Sequence, residues 1–235
     1  MTAAIELTDV KFSWPSQALT LDIPHWSVNQ GQTLLLRGAS GSGKSTLLSL
    51  LAGINKPQGG TVKLLDTDLA QLSSRQRDKF RADHVGYIFQ QFNLLPYLSA
   101  LDNVLLGVQF SKTRRQKLQD SPIKTATHYL TRLGLSTLQQ QQPAAQLSVG
   151  QQQRVAAARA LIGSPELLIA DEPTSALDAD RRDAFISLLL ELSVANDTTV
   201  VFVTHDAALA THFSAHTELT SINNSMPVTE VSDGA

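Results

Sequence analysis

Apolar and polar residues alternate over residues 5–12 (Ile-Glu-Leu-Thr-Asp-Val-Lys-Phe) and again over 19–23, and this period of two predicts half-buried strands. Trp26 and Val28 carry the alternation past Pro24. Residues 33–36, 166–170 and 198–203 instead contain unbroken apolar runs (Leu34–Leu36, Leu167–Ala170 and Val200–Val203), the pattern of strands buried on both faces in a helix-covered parallel sheet. Further strand-like stretches lie at 61–65 and 84–89. Residues 46–52 favour a helix that stops at Gly53, with Pro57 beyond it. Residues 73–81 predict a charged helix with a solvated face. Helices are also predicted over 98–108, 121–135, 152–162 and 180–194, with a polar stretch at 111–119. Glutamines 139–142 and Pro143 read as a flexible connection. A short helix after 206, a last strand within 217–222 and a frayed tail over 227–235 complete the chain.

Together with the G-x-x-x-x-G-K-S motif at residues 38–45, this order predicts an α/β fold: a P-loop NTPase core, an antiparallel β lobe beside it and an inserted α-helical lobe. The expected division is one domain over 1–226, with the β lobe and nucleotide core at 1–90 and 161–226 and the helical lobe at about 91–160.

The 235 residues suit one such domain, and 42% hydrophobic content supplies a core. A net charge of −2 implies no bulk attraction to nucleic acid or an anionic membrane. The absence of cysteine excludes disulfides and thiol chemistry. The N-terminus lacks the pattern of a secretory signal, and no segment approaches the roughly 20 apolar residues of a membrane span. The expectation is a cytoplasmic chain that reaches a membrane only through a partner.

Candidate chemistry centres on Gly38-Ala39-Ser40-Gly41-Ser42-Gly43-Lys44-Ser45-Thr46, a G-x-x-x-x-G-K-S loop between a strand and a helix start. Glycines let backbone N–H groups converge on a phosphate at the positive end of a helix. Lys44 can then reach the β- and γ-phosphates of a nucleoside triphosphate, and the Ser45 hydroxyl can hold Mg²⁺. The strand at 166–170 runs into Asp171 and Glu172, two acids that are costly there unless they do chemistry or bind a cation. Alternation along the strand would turn Asp171 toward a metal and Glu172 to the other side. Ser148 and Gln151 form an S-x-x-Q capping box at a helix start. Trp14 lies in a turn, where it is either core or a face on which a purine stacks.

These motifs, in this order, resemble the nucleotide-binding subunit of ATP-binding cassette (ABC) transporters over nearly the whole chain. Leu147-Ser148-Val149-Gly150-Gln151 is similar to the LSGGQ signature, with Val149 where glycine is usual. Residues 170–178 resemble the Walker B motif and the D-loop, ending at Asp178. The resemblance implies ATP and Mg²⁺ as cofactors, with Ser45, Gln90 and Asp171 around the metal. It implies Glu172 as general base, His205 as γ-phosphate switch, Gln90 as Q-loop sensor and Trp14 as adenine platform. It further implies a head-to-tail homodimer in which Ser148, Val149, Gly150, Gln151 and Asp178 act across the interface.

Residues 92–96 (Phe-Asn-Leu-Leu-Pro) followed by Leu101-Asp102-Asn103-Val104 are similar to the lipoprotein-release, macrolide-exporter and cell-division branch. That implies an integral membrane permease docking near residues 90–98, and peripheral placement at the inner membrane. Two other readings are a soluble ABC ATPase without a membrane partner and a low-turnover nucleotide switch.

Overall fold

The computed structural model describes residues 2–175 and 177–225. The tail expected over 227–235 lies outside them. Strands β1 (Ala3–Ser13), β2 (Leu19–Asn29) and β3 (Thr33–Arg37) lead into helix α1 (Lys44–Leu51). There follow β4 (Gly59–Leu64), β5 (Thr67–Asp68), α2 (Ser74–His84) and β6 (Val85–Ile88). Five helices come next: α3 (Ala100–Gln109), α4 (Lys112–Gln116), α5 (Pro122–Arg132), α6 (Thr137–Gln141) and α7 (Val149–Leu161). The chain then passes through β7 (Leu167–Asp171), α8 (Ala179–Val194), β8 (Thr199–Thr204), β9 (Ala215–Glu218) and α9 (Leu219–Ile222).

The alternating strands form an antiparallel sheet in the order β2-β1-β4-β5. The apolar runs of β3, β7 and β8 form a parallel sheet with β6 and the more polar edge strand β9, in the order β6-β7-β8-β3-β9. Alternate residues of its central strands feed two cores. Leu34, Leu36, Ile169, Val201 and Val203 join α1 and the inner face of the antiparallel sheet. Leu35, Leu168, Ala170, Val200 and Phe202 join α3, α5, α7 and α8. A strand serving two cores has no polar face, which accounts for the unbroken runs.

Each helix from α2 to α7 starts on a serine N-cap: Ser73, Ser99, Ser111, Ser121, Ser136 and Ser148. These hydroxyls accept from the N3 amides and fix where each helix begins. The helix expected from residue 98 therefore begins at Ala100. The glutamine run is helical rather than a flexible connection, because Ser136 and Gln139 form a capping box and buried Gln140 donates to Thr131 Oγ1 and the Leu135 carbonyl. The polar stretch at 111–119 holds α4, whose buried Arg114 donates to the carbonyls of Ala160 and Ile162 at the end of α7. On α2, Arg77 is buried and donates to the carbonyls of Gly53 and Leu72, so that helix is not simply a solvated face. The last segment divides into strand β9 and helix α9 rather than one strand.

No helix among the described residues is long and apolar enough to cross a membrane.

Candidate functional site

The loop between β3 and α1 is shaped by glycines. Gly43 caps α1 with φ of 96°, a left-handed conformation that side chains resist. A Cβ on Gly38 would stand 2.6 Å from Ser42 Oγ, so the loop closes this tightly only with glycine there. Ser42 Oγ is buried and makes no hydrogen bond within the described residues. Lys44 is also buried, and its Nζ donates to the carbonyls of Gly38 and Ala39, both at 2.8 Å.

Strand β7 ends at Asp171, and the backbone then turns sharply. Glu172 has φ of 43° and donates its N–H to the Val203 carbonyl. Strand alternation therefore does not set its direction. Glu172 Oε1 lies 3.6 Å from Lys44 Nζ and Oε2 lies 3.4 Å from His205 Nδ1. The two acids line one cleft instead of facing opposite sides of the strand. Burial and the neighbouring Glu172 charge raise the pKa of Asp171, and Lys44 partly offsets them.

That cleft, of about 390 Å³, is lined by the phosphate loop together with Trp14, Gln90, Asp171 and Glu172. Trp14 is 38% exposed and packs edge-on against Phe12 at 5.2 Å, while its Nε1 donates to Thr46 Oγ1 at 3.1 Å. The hydrogen bond and the Phe12 edge fix the ring and leave part of it open toward the cleft.

Ser148, Val149, Gly150 and Gln151 line a different hollow of about 340 Å³, with Leu177, Arg181 and Phe185. Ser148 and Gln151 cap α7 reciprocally at 2.8 and 3.3 Å, leaving Val149 exposed at the helix start. Asp178 is the N-cap of α8, accepting from the Arg181 N–H at 3.0 Å. The cleft and this hollow share no lining residue.

The ABC transporter family model matches residues 21–175. The chain is 44% identical over 183 residues to the ABC transporter ATP-binding protein YbbA of Escherichia coli (strain K12), with 78% of each covered. The chain belongs to the ABC transporter family.

The cassette is also 39% identical over 214 residues to the macrolide export ATP-binding/permease protein MacB of Sodalis glossinidius. That alignment covers 90% of the cassette and 32% of MacB, so the chain spans about a third of that relative. Among solved structures it is similar to the dimeric ATP-binding cassette MJ0796 in a post-hydrolysis state bound to ADP and Pi. The TM-score is 0.79 at 33% identity, over 91% of this chain and 93% of that one.

The cleft residues fit a nucleotide phosphate and a hard divalent cation. Ser45, Gln90 and Asp171 offer only oxygen ligands to a metal, the donor type that Mg²⁺ takes. Among the described residues no group of three or more His, Cys, Asp or Glu could hold a metal. Mg²⁺ usually completes its shell with water and substrate phosphates.

After Gln90 the loop turns through left-handed Phe92 and Asn93, with φ of 58° and 47°. Phe92 is buried in the helical core and Leu94 packs partly against it, whereas Leu95 is 37% and Tyr97 73% exposed. Buried Asn103 on α3 accepts from the Leu95 N–H and donates to the carbonyls of Leu95, Leu98 and Ser99. Arg159 donates to the carbonyls of Phe92 and Asn93. Sequence reasoning found the loop and missed both of these supports. The signal in the chain was slight: an asparagine just before the apolar Val104–Leu106 and an arginine within the alanine-rich second half of α7.

Proposed function

We propose that the cassette hydrolyses ATP as a head-to-tail homodimer and drives a separate integral membrane permease at the cytoplasmic face of the inner membrane. The convergence of Trp14, Lys44, Gln90, Asp171 and Glu172 on one cleft carries this reading. Trp14 stacks on adenine. The loop N–H groups and Lys44 hold the β- and γ-phosphates. Ser45, Asp171 and Gln90 would hold Mg²⁺, which when bound would neutralise phosphate charge. Glu172 accepts the proton of a water that attacks the γ-phosphorus as the bond to the β-phosphate oxygen breaks, giving ADP and phosphate. His205 orients the Glu172 carboxylate and the γ-phosphate. The partner's Ser148 end completes the pocket with a helix N-terminus and a hydroxyl, and Val149, Gly150, Gln151 and Asp178 lie at that seam.

The exposed Leu95 and Tyr97, close after Gln90, support docking of the permease on this loop. The name of MacB, an export ATP-binding/permease protein, supports an exporter or a related mechanical system.

Steady-state turnover of the purified chain with Mg²⁺ and ATP tests the reading, beside Glu172→Gln. The variant is expected to lose at least about a hundredfold in kcat, keep its ATP affinity and elute as a dimer with ATP. Wild-type turnover in Glu172→Gln would remove Glu172 from the mechanism. Absence of any hydrophobic membrane partner on purification from membranes would remove the permease.

A further inference from the structure

Helix α7 reaches both sides of the hydrolytic cleft through two side chains to which the mechanism above gives no role. Gln153 is 1% exposed, and its Nε2 donates at 3.0 Å to the carbonyl of Pro173, the residue directly after Glu172. Arg159 donates from Nη1 to the Asn93 carbonyl at 2.6 Å and from Nη2 to the Phe92 carbonyl at 2.5 Å, in the turn that follows Gln90. At about 100° per residue the two side chains leave the helix roughly 120° apart, so one helix engages two loops on different sides.

Both loops are of the kind that needs holding. Glu172, Phe92 and Asn93 are non-glycine residues with left-handed backbone, a strained conformation that persists only where the surroundings fix it. The same helix begins at Ser148, about 16 Å along its axis from Arg159 at 1.5 Å per residue. Its far end is held by Arg114, which donates to the carbonyls of Ala160 and Ile162. The helix is thus held at its far end and on two sides, while its Ser148 end is left to meet a second copy, so a displacement of that end is carried to the loops that hold the helix.

We infer that Gln153 and Arg159 are positioning residues that make α7 a rigid link between the loops of Glu172 and Gln90 and the Ser148 end. The inference rests on the roles proposed above for those three residues. Engagement of the Ser148 end by the nucleotide of a second copy moves α7, and α7 sets both loops of its own chain. Reciprocally, the state of the cleft sets the presentation of Ser148, as any coupling between two sites requires.

Gln153→Met removes the donor at nearly constant volume, and Arg159→Met removes the fork; Arg159→Lys keeps the charge and one donor. Calorimetric Kd for ATP, kcat, melting temperature and ATP-dependent dimerisation in the Glu172→Gln background are compared. Gln153→Met and Arg159→Met are each expected to lower kcat at least tenfold with the ATP Kd within threefold, since small misplacements of catalytic groups cost this much. Each should weaken the ATP-dependent dimer by a similar factor, and Arg159→Lys should recover part of both losses. Retention of kcat and dimerisation within twofold in Gln153→Met and Arg159→Met would overturn the inference. So would losses that follow melting temperature and ATP Kd together. A Glu172→Gln parent that does not dimerise with ATP would overturn the underlying reading as well, which separates the two failures.

Discussion

Lys44 Nζ lies 3.6 Å from Glu172 Oε1 while it donates to the carbonyls of Gly38 and Ala39. The cation is therefore shared between Glu172 and the carbonyls of the glycine loop. A nucleotide phosphate bound as proposed would compete with those carbonyls for the same ammonium group.

Lys44→Ala is accordingly expected to weaken ATP binding by about 1.5–3 kcal/mol, roughly ten- to hundredfold in Kd, because a charge-assisted contact to phosphate is lost. Calorimetry with ATP measures it. Unchanged affinity would mean that the loop is not the phosphate site.

Trp14 fluorescence is expected to change on ATP or ADP binding in a Trp26→Phe background. Trp26 is buried in the β core and would otherwise mask the signal. Trp14→Ala should cost about 1–3 kcal/mol of nucleotide affinity if stacking on a base is the guide. An unresponsive Trp14 would leave it as a side chain that only packs on Phe12 and Thr46.

Leu95→Ser with Tyr97→Ser is expected to spare folding and ATP binding and to lower association with the membrane partner at least tenfold in a detergent pull-down. Both side chains are exposed, so the melting temperature should stay within a degree or two. An intact pull-down would place the docking surface elsewhere.

Glu166, at the turn into β7, reports on pH. Burial alone would raise its pKa, but hydrogen bonds from His84 and Lys117, together with the Lys117 charge, outweigh that and bring it to about 2. A folded-state pKa below the unfolded value adds stability that is full above about pH 4.5 and is lost as pH falls toward 2. Glu166→Gln should cost about 1 kcal/mol or less at pH 7, since the carboxylate is 37% exposed and screened. The difference in melting temperature from wild type should shrink on acidification through that window. A difference independent of pH would show that the carboxylate charge contributes nothing.

The parallel core was legible because the middles of β3, β7 and β8 serve two cores and so are apolar on both faces. Ser148 was legible as a cap because glutamine stands three residues on. The same serine logic at Ser99, Ser111 and Ser136 was not followed, and it would have corrected the start of α3 and disclosed α4 and α6. Gln140 and Arg114 were hidden for another reason. Their partners are backbone carbonyls, whose positions exist only once the chain has folded. The direction of Glu172 was misread because a left-handed glutamate leaves no mark in the residues around it. The convergence of the cleft residues followed from motif order, whereas the supports on Phe92, Asn93 and Pro173 required coordinates.

Asn103 has a consequence for speed. Its buried amide fixes the backbone from Leu95 to Ser99 through four hydrogen bonds. A partner that docks at Tyr97 as proposed would find a ready-made knuckle and would not have to freeze a wandering segment, so little ordering entropy would be charged to the encounter. Capture should then follow the rigid-body regime of about 10⁵–10⁷ M⁻¹s⁻¹, limited by orientation. Loosening that amide would be felt first as slower arrival, while the two apolar side chains that make the contact remained untouched.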